Sequence, residues 1–127
     1  MNPNDIQVGG EHYRSGYQPW DFTMDIFGND FFLGSVNKYV VRWRRKNGVE
    51  DLKKALHYLQ KFIEEVRANR IEPPLLYTKE TATALLRHYA LANQIGLAET
   101  DILSAMVLGR WDHAMEYLEQ LIREQSQ

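Results

Sequence analysis

Apolar side chains recur every three or four positions through most of this chain, the repeat of an α-helix that buries one face. Between Asp30 and Lys46 the repeat is carried by Phe32, Val36, Val40 with Tyr39, and Trp43. Between Val49 and Asn69 it is carried by Leu52, Ala55, Leu56, Leu59, Phe62 or Ile63, and Val66, with polar residues opposite. Asn47-Gly48 separates the two runs and tolerates the left-handed backbone that ends a helix. Glu50 and Asp51 then fall where a helix favours negative charge in its first turn. A two-residue connection between amphipathic helices predicts an antiparallel hairpin, because neither helix can bury its stripe alone.

The flanks follow the same logic. Pro19 suits the first turn of a short helix, Pro19 to Phe27, stopped by Gly28, with Asn29 or Asp30 capping the helix that follows. Residues 1–17 have no sustained apolar period and read as an irregular arm. Pro73-Pro74 cannot continue a helix and marks the internal boundary. Beyond it the pattern predicts Thr78 to Ile95 with Thr78 as cap, a stop at Gly96, then Thr100 to Leu108 and Arg110 to Glu124, alternatively one helix interrupted near Gly109. The spacing of Ala, Tyr, Leu and Ile over 55–63 echoes that over 114–122. No alternating strand pattern competes, so the fold class is all-α. It divides into an arm (1–17), a helical core (18–69), a connector (70–77) and a C-terminal helical segment (78–127).

Composition narrows the chemistry. The 127 residues contain no cysteine, which removes disulfides, thiolate metal sites and cysteine nucleophiles and makes the cytoplasm the expected compartment. No stretch approaches the ~18 apolar residues of a membrane span, and the first residues lack the basic and apolar regions of a secretion signal. A net charge of −2 argues against broad nucleic-acid or membrane binding. That near-neutrality conceals a partition: −4 over 1–37, +6 over 38–61 and −4 over 62–127. Eight of the fifteen basic residues lie in the central block, so an anion site there competes with a plain solvated helix face.

Helical spacing makes the anion site specific. Ser35, Lys38, Arg42 and Arg45 are three or four apart, as are Asp51, Lys54, Tyr58 and Lys61, so each set shares a face of its helix. If the faces converge, Lys38, Arg42 and Lys54 surround a polyanion while Asp51 orients one of the cations. The alternative leaves them exposed, with Asp51 capping its own helix. In the N-terminal part, His12 is a candidate acid or phosphate ligand against a surface or capping role. Gln18 could read a base edge, and Trp20 could stack on a base or anchor the core.

Other chemistries lack their residues. No glycine-rich phosphate loop or zinc-protease His pair is present. Glu116 and Glu119 form one carboxylate pair without the second that an all-α pyrophosphohydrolase would need for magnesium. Asp21 and Asp25, four apart, read as the polar face of the first helix, a metal pair being the alternative. Leu85, Leu86, Tyr89, Trp111, Tyr117 and Leu121 read as core or oligomer interface.

Over residues 9–66 the motifs fall in a recognisable order: Gly9-Gly10-x-His12-Tyr13; Gln18-Pro19-Trp20; Phe31-Phe32-Leu33-Gly34-x-x-x-Lys38-Tyr39; the basic Arg42 to Lys46; and Asp51-Leu52-Lys53-Lys54-Ala55-x-x-Tyr58-Leu59. This resembles the SaV-like, or phage nucleotide kinase, family of small, mostly phage-encoded proteins, although that family usually has Asn where this chain has Ser35. The resemblance implies a nucleoside monophosphate kinase without a phosphate loop, using a nucleoside triphosphate as donor and a (deoxy)nucleoside monophosphate as acceptor, with no recognisable metal site. The alternative is a binding protein that sequesters a nucleotide or nucleotide signal. The expected catalytic residues are Lys38, Arg42 and Lys54. Asp51 would orient Lys54, His12 and Tyr13 would close over the phosphates, Trp20 would pack near the base, and Gln18, Ser35, Arg45 and Tyr58 would complete the substrate contacts. The expected partners are small-molecule nucleotides, in a homo-oligomer, with no membrane or nucleic acid.

Overall fold

A computed structural model describes residues 16–28, 30–74 and 77–126, so His12 and Tyr13 lie outside the described residues. Six helices account for most of them: α1 (Pro19–Phe27), α2 (Phe31–Arg42), α3 (Val49–Arg67), α4 (Lys79–Ala92), α5 (Leu97–Val107) and α6 (Trp111–Gln125). No strand occurs among the described residues, and no helix there is long and apolar enough to cross a membrane.

The α2–α3 hairpin is the spine. It forms as the apolar repeat predicts, burying Leu33, Val36 and Val40 of α2 against Leu52, Ala55, Leu59 and Phe62 of α3. Helix α6 packs on α3, α5 on α6 and α4 on α5, while α1 touches both α2 and α4. The echo between 55–63 and 114–122 is thus the common pattern of two helices that face each other, with Ala55, Leu59, Ala114 and Leu118 all buried. At the other end, Phe22 stacks on Tyr89, centroids 4.2 Å apart. Gly34 allows α1 to come close, since a Cβ there would stand 3.1 Å from Thr23 Cγ2.

A buried amide ties three helices together. Asn37 Nδ2 donates to Thr23 Oγ1 at 3.3 Å, and its Oδ1 accepts from the Tyr89 hydroxyl at 3.2 Å. The position one residue before Lys38 is therefore fixed by polar contacts to α1 and α4, as a buried amide requires.

Several boundaries differ from those the pattern predicts. Helix α2 ends at Arg42, not Lys46, and the hairpin connection is a six-residue wound turn, 43–48. The reason is Trp43: buried, it donates from Nε1 to Glu99 Oε1 at 2.8 Å, pulling the chain toward α5. Arg44 reinforces the link, its Nε 2.7 Å from the same oxygen and its guanidinium 4.3 Å from the Trp43 ring. Gly48, at φ +60°, closes the turn with its N–H on Trp43 O at 2.9 Å.

Further along, Thr78 caps α4 as expected, its Oγ1 accepting from Thr81 N–H. The left-handed residue that ends α4 is Gln94, whereas Gly96 caps α5, whose first residue, Leu97, is three before the predicted start at Thr100. A Cβ at 96 would lie 2.8 Å from the Glu99 carboxylate, so any larger residue there must displace that carboxylate. Helices α5 and α6 are separate, with Gly109 at φ +73° between them. Of the C-terminal apolar residues, Leu86, Tyr89 and Leu121 are core and Trp111 packs on Phe62 at 4.7 Å, while Tyr117 stays exposed.

Candidate functional site on the helix hairpin

Three of the five cations on the two stripes meet at one ring. Around Tyr39, the Lys38 ammonium lies 5.4 Å from the centroid, the Arg42 guanidinium 4.8 Å and the Lys54 ammonium 5.6 Å. Each is within cation–π range, where the negative face of the ring offsets part of the repulsion among like charges. Sequence proximity explains two of them, since Lys38 and Arg42 flank Tyr39 on α2. The third is tertiary, because Lys54 reaches Tyr39 only when the hairpin closes.

The other two behave differently: Lys61 pairs with Glu64 and Glu65 on its own helix. Arg45 sits in the 43–48 turn beyond the end of α2 and is exposed, so it does not extend the stripe. The expected partner of Asp51 is also corrected. Asp51 pairs with Arg42, not Lys54: Arg42 Nε lies 3.2 Å from Oδ2 and Nη2 3.3 Å from Oδ1. The same carboxylate accepts from the Asn47 backbone N–H at 3.3 Å and from its side-chain amide at 3.4 Å. Asp51 is fully buried. Burial alone would raise its pKa, but the Arg42 bonds, then those from Asn47, outweigh burial and hold the carboxyl below its ordinary range.

This pairing sets the geometry. The two bonds to Asp51 use only part of the five-donor guanidinium fork and fix its plane against the start of α3. Neither Lys38 nor Lys54 is in an ion pair among the described residues, and both are exposed. Lys54 lines a shallow groove of about 340 Å³ together with Tyr39, Glu50, Lys53, His57 and Tyr58, and Lys38 and Arg42 adjoin that groove through the Tyr39 ring.

Tyr58 reaches the same place, its ring nearly parallel to Tyr39 with centroids 5.9 Å apart. Phe31 in turn meets Tyr58 edge-on at 5.6 Å and is 66% exposed. Ser35 is half-buried on α2, one turn from both Phe31 and Lys38. The residues missed by spacing are Tyr39, read as apolar stripe, and Lys53, His57 and Phe31. An aromatic interleaved with cations at i−1 and i+3 is the signal in the sequence that identifies Tyr39.

The α1 candidates have other surroundings. Gln18 is buried where α1 begins, and its backbone N–H donates to Asp21 Oδ2 at 3.0 Å. Asp25 Oδ2 accepts from the Tyr17 hydroxyl at 2.6 Å. Burial first, then Asp25, pushes that hydroxyl well above the ordinary tyrosine range. The two carboxylates thus serve a cap and a tyrosine. Trp20 is half exposed on α1, which excludes the core-anchor role.

Residues 8–60 match the model of a family described as a protein of unknown function (DUF3310). No curated protein and no solved structure gives a significant match to the chain. The matched segment contains α1, α2 and most of α3, and with them Lys38, Tyr39, Arg42, Asp51, Lys54 and Tyr58.

Proposed function

We propose that this chain is a nucleotide-binding protein of the phosphate-loop-less kinase type, transferring a phosphoryl group from a nucleoside triphosphate to a nucleoside monophosphate. The observation that carries the reading is the convergence of Lys38, Arg42 and Lys54 on Tyr39, with Asp51 holding Arg42 in plane. The two ammoniums act as compact point charges, while the Arg42 fork matches adjacent phosphate oxygens. The nucleotide class and the reaction come from the motif resemblance over 9–66.

The chemistry needs little beyond such a site. The acceptor is a monophosphate oxygen, already deprotonated at neutral pH because the second phosphate pKa is near ~6, so no general base has to remove a proton. That oxygen forms a bond to the γ-phosphorus as the bond from this phosphorus to the β-bridging oxygen breaks. The monophosphate becomes a diphosphate and the triphosphate leaves as a diphosphate. Positioning and charge neutralisation supply most of the catalysis in such transfers. Lys38 and Lys54 would draw the two polyanions together, and Arg42 would steady the charge on the transferred group.

Purified protein incubated with magnesium and γ-labelled ATP should convert a nucleoside monophosphate to labelled diphosphate. Lys38→Ala, at an exposed position, should lower turnover on the order of 10³-fold, the cost of losing one oriented charge partner at a transition state. Binding of nucleotide without product across the common monophosphates would replace the kinase reading with a sequestering one. No binding of any nucleotide would remove both.

A further inference from the structure

The stripe on α2 continues past the cations toward the start of the helix. Phe31, Ser35, Lys38 and Arg42 are spaced four, three and four apart and so follow one face, with Phe31 about 10 Å along the axis from Lys38. At its far end, Phe31 stands nearly perpendicular to both Phe32, at 5.7 Å, and Tyr58, at 5.6 Å. These contacts fix the ring's orientation, yet 66% of its surface remains in solvent. A single exposed apolar residue needs no explanation. An oriented aromatic joined through Tyr58 and Tyr39 to a three-cation cluster calls for one.

We infer that this face binds a mononucleotide lengthwise, with the base stacked on Phe31, the sugar over Ser35 and the phosphates among Lys38, Arg42 and Lys54. The inference rests on the phosphate-binding reading above and adds to it the position of the base. Chemistry fixes the direction: the base is the flat, polarisable end, the phosphates are the anionic end, and the sugar lies between them. The only hydroxyl-bearing side chain on the stripe, Ser35, stands between the aromatic and cationic ends. Trp20, the base platform expected from sequence, belongs to α1 and is not part of this face of α2. Stacking on one ring tolerates every base, because each has a π-face, so the platform selects nucleotides over bare phosphates without selecting among bases.

Calorimetry on the full chain with two probes, ATP and inorganic triphosphate, tests the placement. Bare triphosphate carries at least as much negative charge as ATP, so charge alone predicts that it binds at least as tightly. The expected result is the reverse, with ATP favoured on the order of ten- to a hundredfold, the worth of one stacked base. Phe31→Ala should bring the ratio down to that of charge alone while leaving triphosphate affinity unchanged, and Phe31→Trp should restore it. Equal affinities in the unmodified protein, or a ratio that Phe31→Ala leaves intact, would overturn the platform while the phosphate site stands. Failure of both probes to bind would remove the phosphate reading and the platform with it. Tighter binding of an oligothymidine without terminal phosphate would assign the face to single-stranded nucleic acid and overturn the mononucleotide placement.

Discussion

At the scale of single residues, Asp51 decides what Arg42 can do. It is buried, accepts from Arg42 and Asn47, and titrates below its ordinary range. A carboxyl whose folded pKa is lowered contributes stability that is complete above the unfolded value and is lost as pH falls through the folded one. Unfolding stability should therefore decline below about pH 4. Glu65, drawn down to about 2 by bonds from Arg70 and then Lys61, adds to the same limb. Asp51→Asn keeps the shape but removes the charge. Breaking a fully buried pair costs roughly 3–5 kcal/mol; Arg42 keeps 18% of its side chain in water, so a loss of about 2 kcal/mol at pH 7 is expected. Denaturant titrations at pH 7 and pH 3 would check both parts. The gap between the two proteins should narrow at the lower pH, and a gap that stays constant would show that the ionised carboxylate is not what stabilises the turn.

At the scale of elements, the 43–48 turn links the hairpin to the rest of the fold. Trp43 and Arg44 both bond one oxygen of the buried Glu99 on α5, while Asn47 donates back to Asp51 on α3. Helical period revealed both hairpin helices and the cationic face of each, while the convergence of those faces on Tyr39 is a tertiary outcome. It extended α2 to Lys46 because Trp43 fits the apolar repeat, and periodicity cannot distinguish a residue that continues a helix from one drawn off it by a distant acid. Spacing leaves open which cation Asp51 orients, and the resemblance suggests Lys54; the observed Arg42 pairing depends on how far the turn winds, which is a tertiary property. Gly48 tests how firmly that winding is set. Its φ is +60° and nothing lies within 4 Å of where a Cβ would stand, so Gly48→Ala introduces conformational strain without a clash. The expected cost is about 1 kcal/mol, read as a lower denaturant midpoint at unchanged slope. A neutral result would mean the turn relaxes at no cost, and Arg42 would then lack a fixed plane.

At the scale of the molecule, the charge partition becomes a statement about ligand-dependent stability. A net charge of −2 conceals a +6 segment, whose Lys38 and Lys54 face solvent beside Arg42 with one aromatic ring between them. Holding like charges together disfavours folding in the absence of an anion, and an anion seated among them reverses the sign. Because binding is confined to the folded state, inorganic triphosphate at a hundred times its dissociation constant should stabilise the protein by about 2.7 kcal/mol. For a chain of this length that is a rise in melting temperature on the order of 10 °C. The increment should shrink in molar salt, where screening acts over about 3 Å, and should be much smaller in Lys38→Ala and Lys54→Gln. Arg45→Ala and Lys61→Ala, which remove equal charge outside the Tyr39 cluster, should leave it nearly unchanged. Equal effects from all four substitutions would mean that the protein responds to the summed charge of the hairpin, not to a site organised around Tyr39.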